Sequence, residues 1–282
     1  GFFNFLSDKA YIKLEYFIVF RKKLNLDNPQ TFNEKLQWLK LYDRNPLYTT
    51  LVDKYEVKKY IANEIGEEYV IPTLGIWNSY QEIDFENLPN QFVLKTTHDS
   101  GTYIICRDKQ HFDKESAKEL LVKRLKRNYY KEHREWPYKD VKRQIIGEQL
   151  LNTKDNNLPV DYKFFCYNGK ADCVMLCLGR GTKNKKFYFF DKGWNLLRYN
   201  VAGKAAQTDF TLPKPEKMDE MFELAERLSF GIPFVRIDLY YENDKIYFGE
   251  FTFYPDSGYD KNLLIETDKL FGEKINLGGI KR

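Results

Sequence analysis

A chain of 282 residues with 43% apolar and 17% aromatic content, including 21 Tyr and 22 Phe, can bury one large core or two smaller ones, which excludes a disordered chain. The formal charge of +4 is small against 45 basic and 41 acidic side chains, so nothing argues for a nucleic-acid partner, while nucleotides and acidic glycans stay compatible. No apolar run approaches the roughly 20 residues that span a bilayer.

The first six residues, from Gly1 to Leu6, lack the basic region and cleavage site of a signal peptide. The chain starts without Met, as a domain of a longer multidomain protein would, or a chain after tag removal. Cys106, Cys166, Cys173 and Cys177 form no CxxC pair and sit in or beside strand-like segments, which reads as free thiols in a reducing cytoplasm rather than a zinc site. A cytoplasmic location is expected.

To about residue 50 the pattern is helical and basic. Thr31-Phe32-Asn33-Glu34 is a capping box that opens a helix with Leu36, Trp38, Leu39 and Leu41 as its apolar positions. Arg21, Lys22 and Lys23 read as solvated surface. A second helix starts at Asp53, runs through Val57, Tyr60, Ile61 and Ile65, and stops at Gly66. Residues 69–74, interrupted by Pro72, lead into a short strand and a loop, and residues 92–95 then form a strand ending in Lys95. A small-residue loop, 96–102, and a returning strand, 103–106, complete a flap whose amides and hydroxyls can cover phosphates. The flap lacks a Walker GxxxxGK[ST] arrangement, and taken alone it reads as a plain hairpin turn, as most such loops are.

The spacing next predicts one long amphipathic helix over 114–132, with Leu120, Leu121, Leu125 and Tyr129 on one face and Lys123, Arg124, Lys126 and Arg127 on the other. Strands follow over 144–151, 161–167 and 171–178, the last two joined by the hairpin dipeptide Asn168-Gly169. Residues 179–211 are polar apart from a buried strand at 187–190. Pro213 and Pro215 open a helix with Met218, Met221, Phe222, Ala225 and Leu228 inward, ended by Gly231.

The chain then reaches its most informative stretch, 235–259, two strands joined by Glu242-Asn243-Asp244. Arg236 and Asp238 share one face of the first strand, and Glu250 and Thr252 share one face of the second. Antiparallel pairing can bring a carboxylate from each strand together beside an arginine, which suits magnesium and a polyphosphate. The same alternation is that of the wet face of a half-exposed sheet, and the hairpin alone does not choose between them.

The order of these pieces resembles the ATP-grasp superfamily, in particular its TupA-like amidoligase branch of the teichuronopeptide biosynthesis type. The resemblance covers about residues 31–272. It is carried by Thr-Phe-Asn-Glu-Lys-Leu-Gln-Trp-Leu-Lys at 31–40, Asp53-Lys54, the strand and loop 93–102, Asp161-Tyr-Lys163, Arg236-Ile-Asp238 and Gly249-Glu250-Phe-Thr252. It implies an α+β ATP-grasp fold, in which a lid subdomain and a central antiparallel sheet bind ATP between them. On this reading 1–50 is an N-terminal helical segment, 51–90 a pre-lid region, 91–143 the lid and 144–282 the central sheet with the metal site.

The resemblance also lends roles, with ATP and Mg2+ as cofactors. Lys54 and Lys95 look like the lysines that reach the nucleotide phosphates. Thr97, Ser100 and Gly101 look like the phosphate-covering loop, with one glycine where many relatives have several. Glu148, Gln149 and Leu151 resemble the hinge that reads adenine and ribose; the alternative for Glu148 is a plain charge at a strand end. Asp161 would orient Lys163 or contact substrate, and Lys163 would lie near the phosphates. Asp238 and Glu250 match the magnesium carboxylates, with Thr252 where asparagine is usual, and Arg236 would steady the transferred phosphate. Ser257 and Gly258 fall in a substrate-contacting loop. His98 and Asp99 invite a catalytic reading, but for the histidine contact with phosphate or solvent is favoured over a general base, and His111 and His133 read as surface.

What the resemblance implies is an ATP-dependent carboxylate–amine ligase working through an acyl phosphate. The substrates would be a uronic acid of a capsular or surface polysaccharide, or its precursor, and an amino acid or small amino alcohol, with or without a phosphate. Open aromatic and basic surface around Tyr129, Tyr130, Arg134 and Trp136 would suit the glycan. The alternatives are a phosphotransferase acting on a glycan hydroxyl and a non-catalytic glycan-binding module.

Overall fold

The computed structural model describes residues 5–151, 153, 158–179 and 183–280. Its contacts divide the chain into two compact units, Gly1–Arg44 with Val160–Arg282, and Asn45–Pro159.

Helices α1 (Asp8–Phe20) and α2 (Phe32–Tyr42) belong to the first unit. The predicted capping box is present: the Glu34 amide donates to Thr31 Oγ1 at 3.3 Å, and the Thr31 amide donates to Glu34 Oε2 at 3.2 Å.

The second unit begins with α3 (Leu47–Val52) and α4 (Glu56–Glu64), where Asp53 Oδ1 accepts the amides of Tyr55 and Glu56 ahead of α4. There follow β1 (Thr73–Trp77), β2 (Phe92–Thr96), β3 (Tyr103–Cys106), α5 (Lys114–Leu125), α6 (Tyr130–His133) and β4 (Ile145–Gln149). The strands form an antiparallel sheet in the order β1-β4-β2-β3. Its core gathers Phe92, Leu94 and Ile145 from the sheet with Leu121 from α5 and Ile83 and Leu88 from the connecting segment. The single helix expected over 114–132 is two. Asn128 breaks it, because its side-chain oxygen takes the Lys131 amide at 3.2 Å and competes with the helical carbonyl.

The first unit resumes with β5 (Asp161–Tyr167), β6 (Lys170–Leu178), β7 (Lys186–Phe190), β8 (Leu196–Leu197), α7 (Val201–Ala205), α8 (Met218–Ser229), β9 (Phe234–Glu242), β10 (Lys245–Thr252) and α9 (Ile265–Lys274). The sheet is antiparallel throughout, in the order β10-β9-β5-β6-β7-β8. An aromatic core joins the two ends of the chain: Phe32 of α2 packs on Phe165, Phe234 and Phe271 with ring centroids 4.8–6.4 Å apart. Asn33 adds polar ties, its amide and side-chain nitrogen both donating to Asp268 Oδ1. The helices α1 and α2 therefore fold with the six-stranded sheet.

Candidate active site

The opening geometry of the site is a register. Across the β9–β10 hairpin, Phe248 faces Leu239, but the next pair is Glu250 with Asp238, followed by Thr252 with Arg236. Gly249 is the extra residue of a β-bulge. Without it Glu250 would face Ile237 and point to the other side of the sheet. A Cβ on Gly249 would lie 2.9 Å from the Asp238 carbonyl oxygen, so only glycine permits the approach. At the far end Asn243 and Asp244, with φ of 51° and 60°, make the left-handed turn that the right-handed strand twist favours.

On the other side of β9, Lys163 of β5 faces Asp238. Six side chains thereby share one face. Arg236 donates from Nε to Asp238 Oδ1 at 2.6 Å and from Nη2 to Oδ2 at 2.7 Å, and Lys163 donates to Oδ2 at 2.5 Å. Lys163 also lies 3.3 Å from Asp161 Oδ2. Arg236 Nη2 donates to Thr252 Oγ1 at 3.0 Å, and Thr252 donates to Glu250 Oε1 at 3.4 Å. Burial alone would push the Asp238 carboxyl up, but Arg236 and then Lys163 hold it below its ordinary range. Asp238 is 1% exposed, whereas the Glu250 side chain is 40% exposed, its Oε1 lying 3.5 Å from Arg236 Nη2.

The four-stranded unit carries a second cluster. Val93 faces Glu148 across β2 and β4, so Lys95, two residues on, meets it diagonally: Lys95 Nζ donates to Glu148 Oε2 at 2.5 Å. Lys58 of α4 takes the other oxygen at 2.6 Å and donates to the Ile71 carbonyl at 2.6 Å. Burial opposes the Glu148 charge, yet Lys95 and Lys58 draw its carboxyl down to about 2. Burial also lowers the Lys58 ammonium, with Glu148 opposing. The plain strand-end reading of Glu148 is thus replaced by a buried ion triad. Lys58 was missed in the sequence, although Lys54 and Lys58 are spaced by one helical turn.

Above this cluster the 96–102 loop closes on Asp99. Its fully buried carboxylate accepts the hydroxyls of Thr96 at 2.5 Å and Thr102 at 2.7 Å, with Arg127 Nη1 3.4 Å away. Thr97 donates its hydroxyl to the Lys142 carbonyl at 2.6 Å. Lys54 donates its ammonium to the Asp99 carbonyl and its amide to Thr97 O. The hydroxyls of Thr96 and Thr102 therefore serve the loop itself and that of Thr97 ties it to the 142–144 segment, with half-buried Ser100 and exposed Gly101 at the tip. His98 is buried, not solvated, and its Nε2 lies 3.2 Å from the Arg127 carbonyl. Gln149 is exposed at the end of β4, with Leu151 half-buried beyond it.

Ser257 and Gly258 lie in the turn after β10, where Asp256, Ser257 and Gly258 have φ of 45°, 53° and 69°. Two fully buried residues of α2 hold this left-handed turn. Lys40 donates to the Ser257 carbonyl at 2.6 Å, and Gln37 donates to Ser257 O at 3.1 Å and Gly258 O at 2.7 Å. Arg134 is a correction to the expected open surface, since it is buried with its guanidinium over the Tyr130 ring at 5.7 Å.

The sequence profile of TupA-like ATP-grasp proteins matches residues 34–276. The chain belongs to that family. Among solved structures, this ATP-grasp protein is similar to D-alanine–D-alanine ligase from Bacillus anthracis, at 14% identity over 88% of this chain and 69% of that one, with a TM-score of 0.44. It is similar to a RimK domain ATP-grasp protein from Sphaerobacter thermophilus at 11% identity over 83% and 70%, TM-score 0.46. The third is the ATP-grasp ligase PsnB complexed with a phosphomimetic variant of its minimal precursor, Mg and ADP, at 10% identity over 78% and 57%, TM-score 0.42. The chain thus spans little more than half of the PsnB chain. No curated protein matches it. Family membership rests on the sequence match, not on these likenesses.

With membership come the family's cofactors, ATP and Mg2+. The donor set fits a magnesium ion: two carboxylates face each other across the bulge with a hydroxyl beside them, and magnesium keeps waters and phosphate oxygens for its remaining positions. Among the described residues no group of three or more His, Cys, Asp or Glu side chains could hold a metal ion, so the site offers two carboxylates and a hydroxyl. Among them, too, no helix is long and apolar enough to cross a membrane.

Proposed function

We propose that this protein is an ATP-dependent carboxylate–amine ligase, ADP-forming, that joins a uronic acid of a surface polysaccharide or its precursor to a small amine. The observation that carries the reading is the convergence of Asp238, Glu250, Arg236 and Lys163 on one sheet face, set by the Gly249 bulge. A carboxylate oxygen of the substrate attacks the γ-phosphorus of ATP and ADP leaves. The amine nitrogen then attacks the acyl carbon, phosphate leaves with the acyl oxygen, and the nitrogen loses a proton. Both steps ask chiefly for alignment and charge neutralisation, not for a covalent nucleophile on the protein.

Asp238, Glu250 and Thr252 would hold Mg2+, which when bound neutralises phosphate charge. Arg236 and Lys163 would steady the transferring phosphoryl group. Lys54, Lys95 and the tip residues Ser100 and Gly101 would receive the nucleotide phosphates, with Glu148, Gln149 and Leu151 toward the nucleoside. Asp161 would keep Lys163 in place, and Ser257 and Gly258 would line the acceptor position. TupA-like membership supports a uronate as the acid.

The test is mass spectrometry of products from ATP, a uronate acceptor and a pool of small amines. A product weighing the acid plus the amine less one water, with ADP release that needs both, is expected. ADP release with an alcohol alone would replace the ligase by a phosphotransferase. Polysaccharide amidation unchanged in a D238A or E250A strain would replace it by a scaffold.

A further inference from the structure

Glu148 has one carboxylate and two lysines, and the two lysines are not held alike. Lys58 Nζ is anchored from two sides, by Glu148 Oε1 and by the Ile71 carbonyl, both at 2.6 Å, and its side chain is 14% exposed. Among the described residues Lys95 is held by Glu148 Oε2 alone at 2.5 Å, and its side chain is 24% exposed. An anionic ligand that draws Lys95 away would strand the buried Glu148 charge unless another cation stays behind.

We propose that Lys58 is a positioning residue: it keeps Glu148 paired so that Lys95 can turn from that carboxylate to the nucleotide phosphates. The proposal deepens the nucleotide reading above and rests on it. Lys58 touches neither the phosphates nor the acceptor. Its ammonium stays between Glu148 and Ile71 in both states, and the bond that changes is the one from Lys95 to Glu148. The lowered titration of the Lys58 ammonium and the depressed Glu148 carboxyl agree with a pair whose charges depend on each other.

If this is right, removing Lys58 leaves Lys95 as the only counter-ion of Glu148 among the described residues and sets ATP in competition with that carboxylate. The Lys58→Met variant is expected to weaken ATP binding about tenfold, equal to about 1.4 kcal/mol, while kcat at saturating ATP stays within about twofold of wild type. Lys58→Arg, which keeps a cation on the same helix, is expected to recover most of the loss. In an E148Q background, where there is no buried charge to strand, adding K58M is expected to change the ATP Kd by less than about twofold.

Titration calorimetry with ATP, together with initial rates, reads all four variants. A K58M effect just as large on the E148Q background would overturn the proposal, since Lys58 would then contact the nucleotide itself. Equal ATP affinity in wild type and K58M would overturn it as well. If K58M alone does not fold, Lys58→Gln takes its place in both backgrounds, and the same two comparisons decide. Wild-type protein that binds no ATP is a different result, and refutes the nucleotide reading itself.

Discussion

Replacing Gly249 with alanine is expected to damage the metal site without touching any of its side chains. The added methyl would sit 2.9 Å from the Asp238 carbonyl oxygen and 3.1 Å from the edge of the Tyr240 ring, and the first neighbour is backbone that cannot swing aside. Two relaxations are open. Either β10 moves off β9 with the bulge kept, which lengthens hydrogen bonds on both sides, or the bulge slips and Glu250 comes to face Ile237, away from Asp238. Overpacking of this kind costs about 1–3 kcal/mol. For a unit of this size each kcal/mol lowers Tm by roughly 2–4 °C, so a drop of roughly 2–12 °C is expected. The magnesium requirement should change with it, because both relaxations separate the two carboxylates. Circular-dichroism melting and ADP release over a magnesium series measure the two effects. A G249A protein with unchanged Tm and an unchanged magnesium optimum would refute the argument that the bulge sets the site.

Asp238→Asn leaves Arg236 and Lys163 without the carboxylate that holds them, and ADP release is expected to fall by about two orders of magnitude or more, the scale seen when a preorganised charge is removed. Chelation of magnesium should stop wild-type turnover reversibly, and restored activity on adding the metal back checks it. Glu148 gives a pH prediction: its folded carboxyl titrates at about 2 against an ordinary 4.5, so its contribution is present above 4.5 and is lost as pH falls toward 2. Between about pH 5 and about pH 3 this group alone should remove about 2 kcal/mol, and urea unfolding of E148Q should lack that share of the decline. Asp256→Gly relieves a left-handed residue that costs a side chain roughly 1–2 kcal/mol, partly offset by the freer unfolded chain. A stabilisation of up to about 1 kcal/mol is therefore expected in the same unfolding assay.

The strands and the main helices were legible where one periodicity ran without interruption, as in α8 with its inward Met218, Met221, Phe222, Ala225 and Leu228. The α2 capping box could be read from four residues because both halves of the cap are local. What sequence patterns miss is competition and register. Asn128 looks like one more polar residue on a helical face until its side chain takes the Lys131 amide. Gly249 looks like a small strand residue, yet it decides which face Glu250 occupies. α7 is five residues long with Gly203 inside it, too short for any period to show. Lys58 was passed over for a related reason: it acts through a group far away in sequence, Glu148.

The charge balance of the two clusters separates their tasks. In the four-stranded unit, Glu148 is outnumbered by Lys58 and Lys95, and Lys54 stands beside the loop, so the cluster is short of negative charge. In the six-stranded unit, Asp161, Asp238 and Glu250 outnumber Lys163 and Arg236, so that cluster is short of positive charge. A buried cluster with unequal charges is stable only if a ligand of the missing sign completes it or the excess reaches water. The excess does reach water at both places, through the more exposed partner: Lys95 in one and Glu250 in the other. Those are the side chains that can turn toward a ligand, an anion at Lys95 and a cation at Glu250. The surrounding residues, Lys58 in the first cluster and Asp238 in the second, are the ones that hold still.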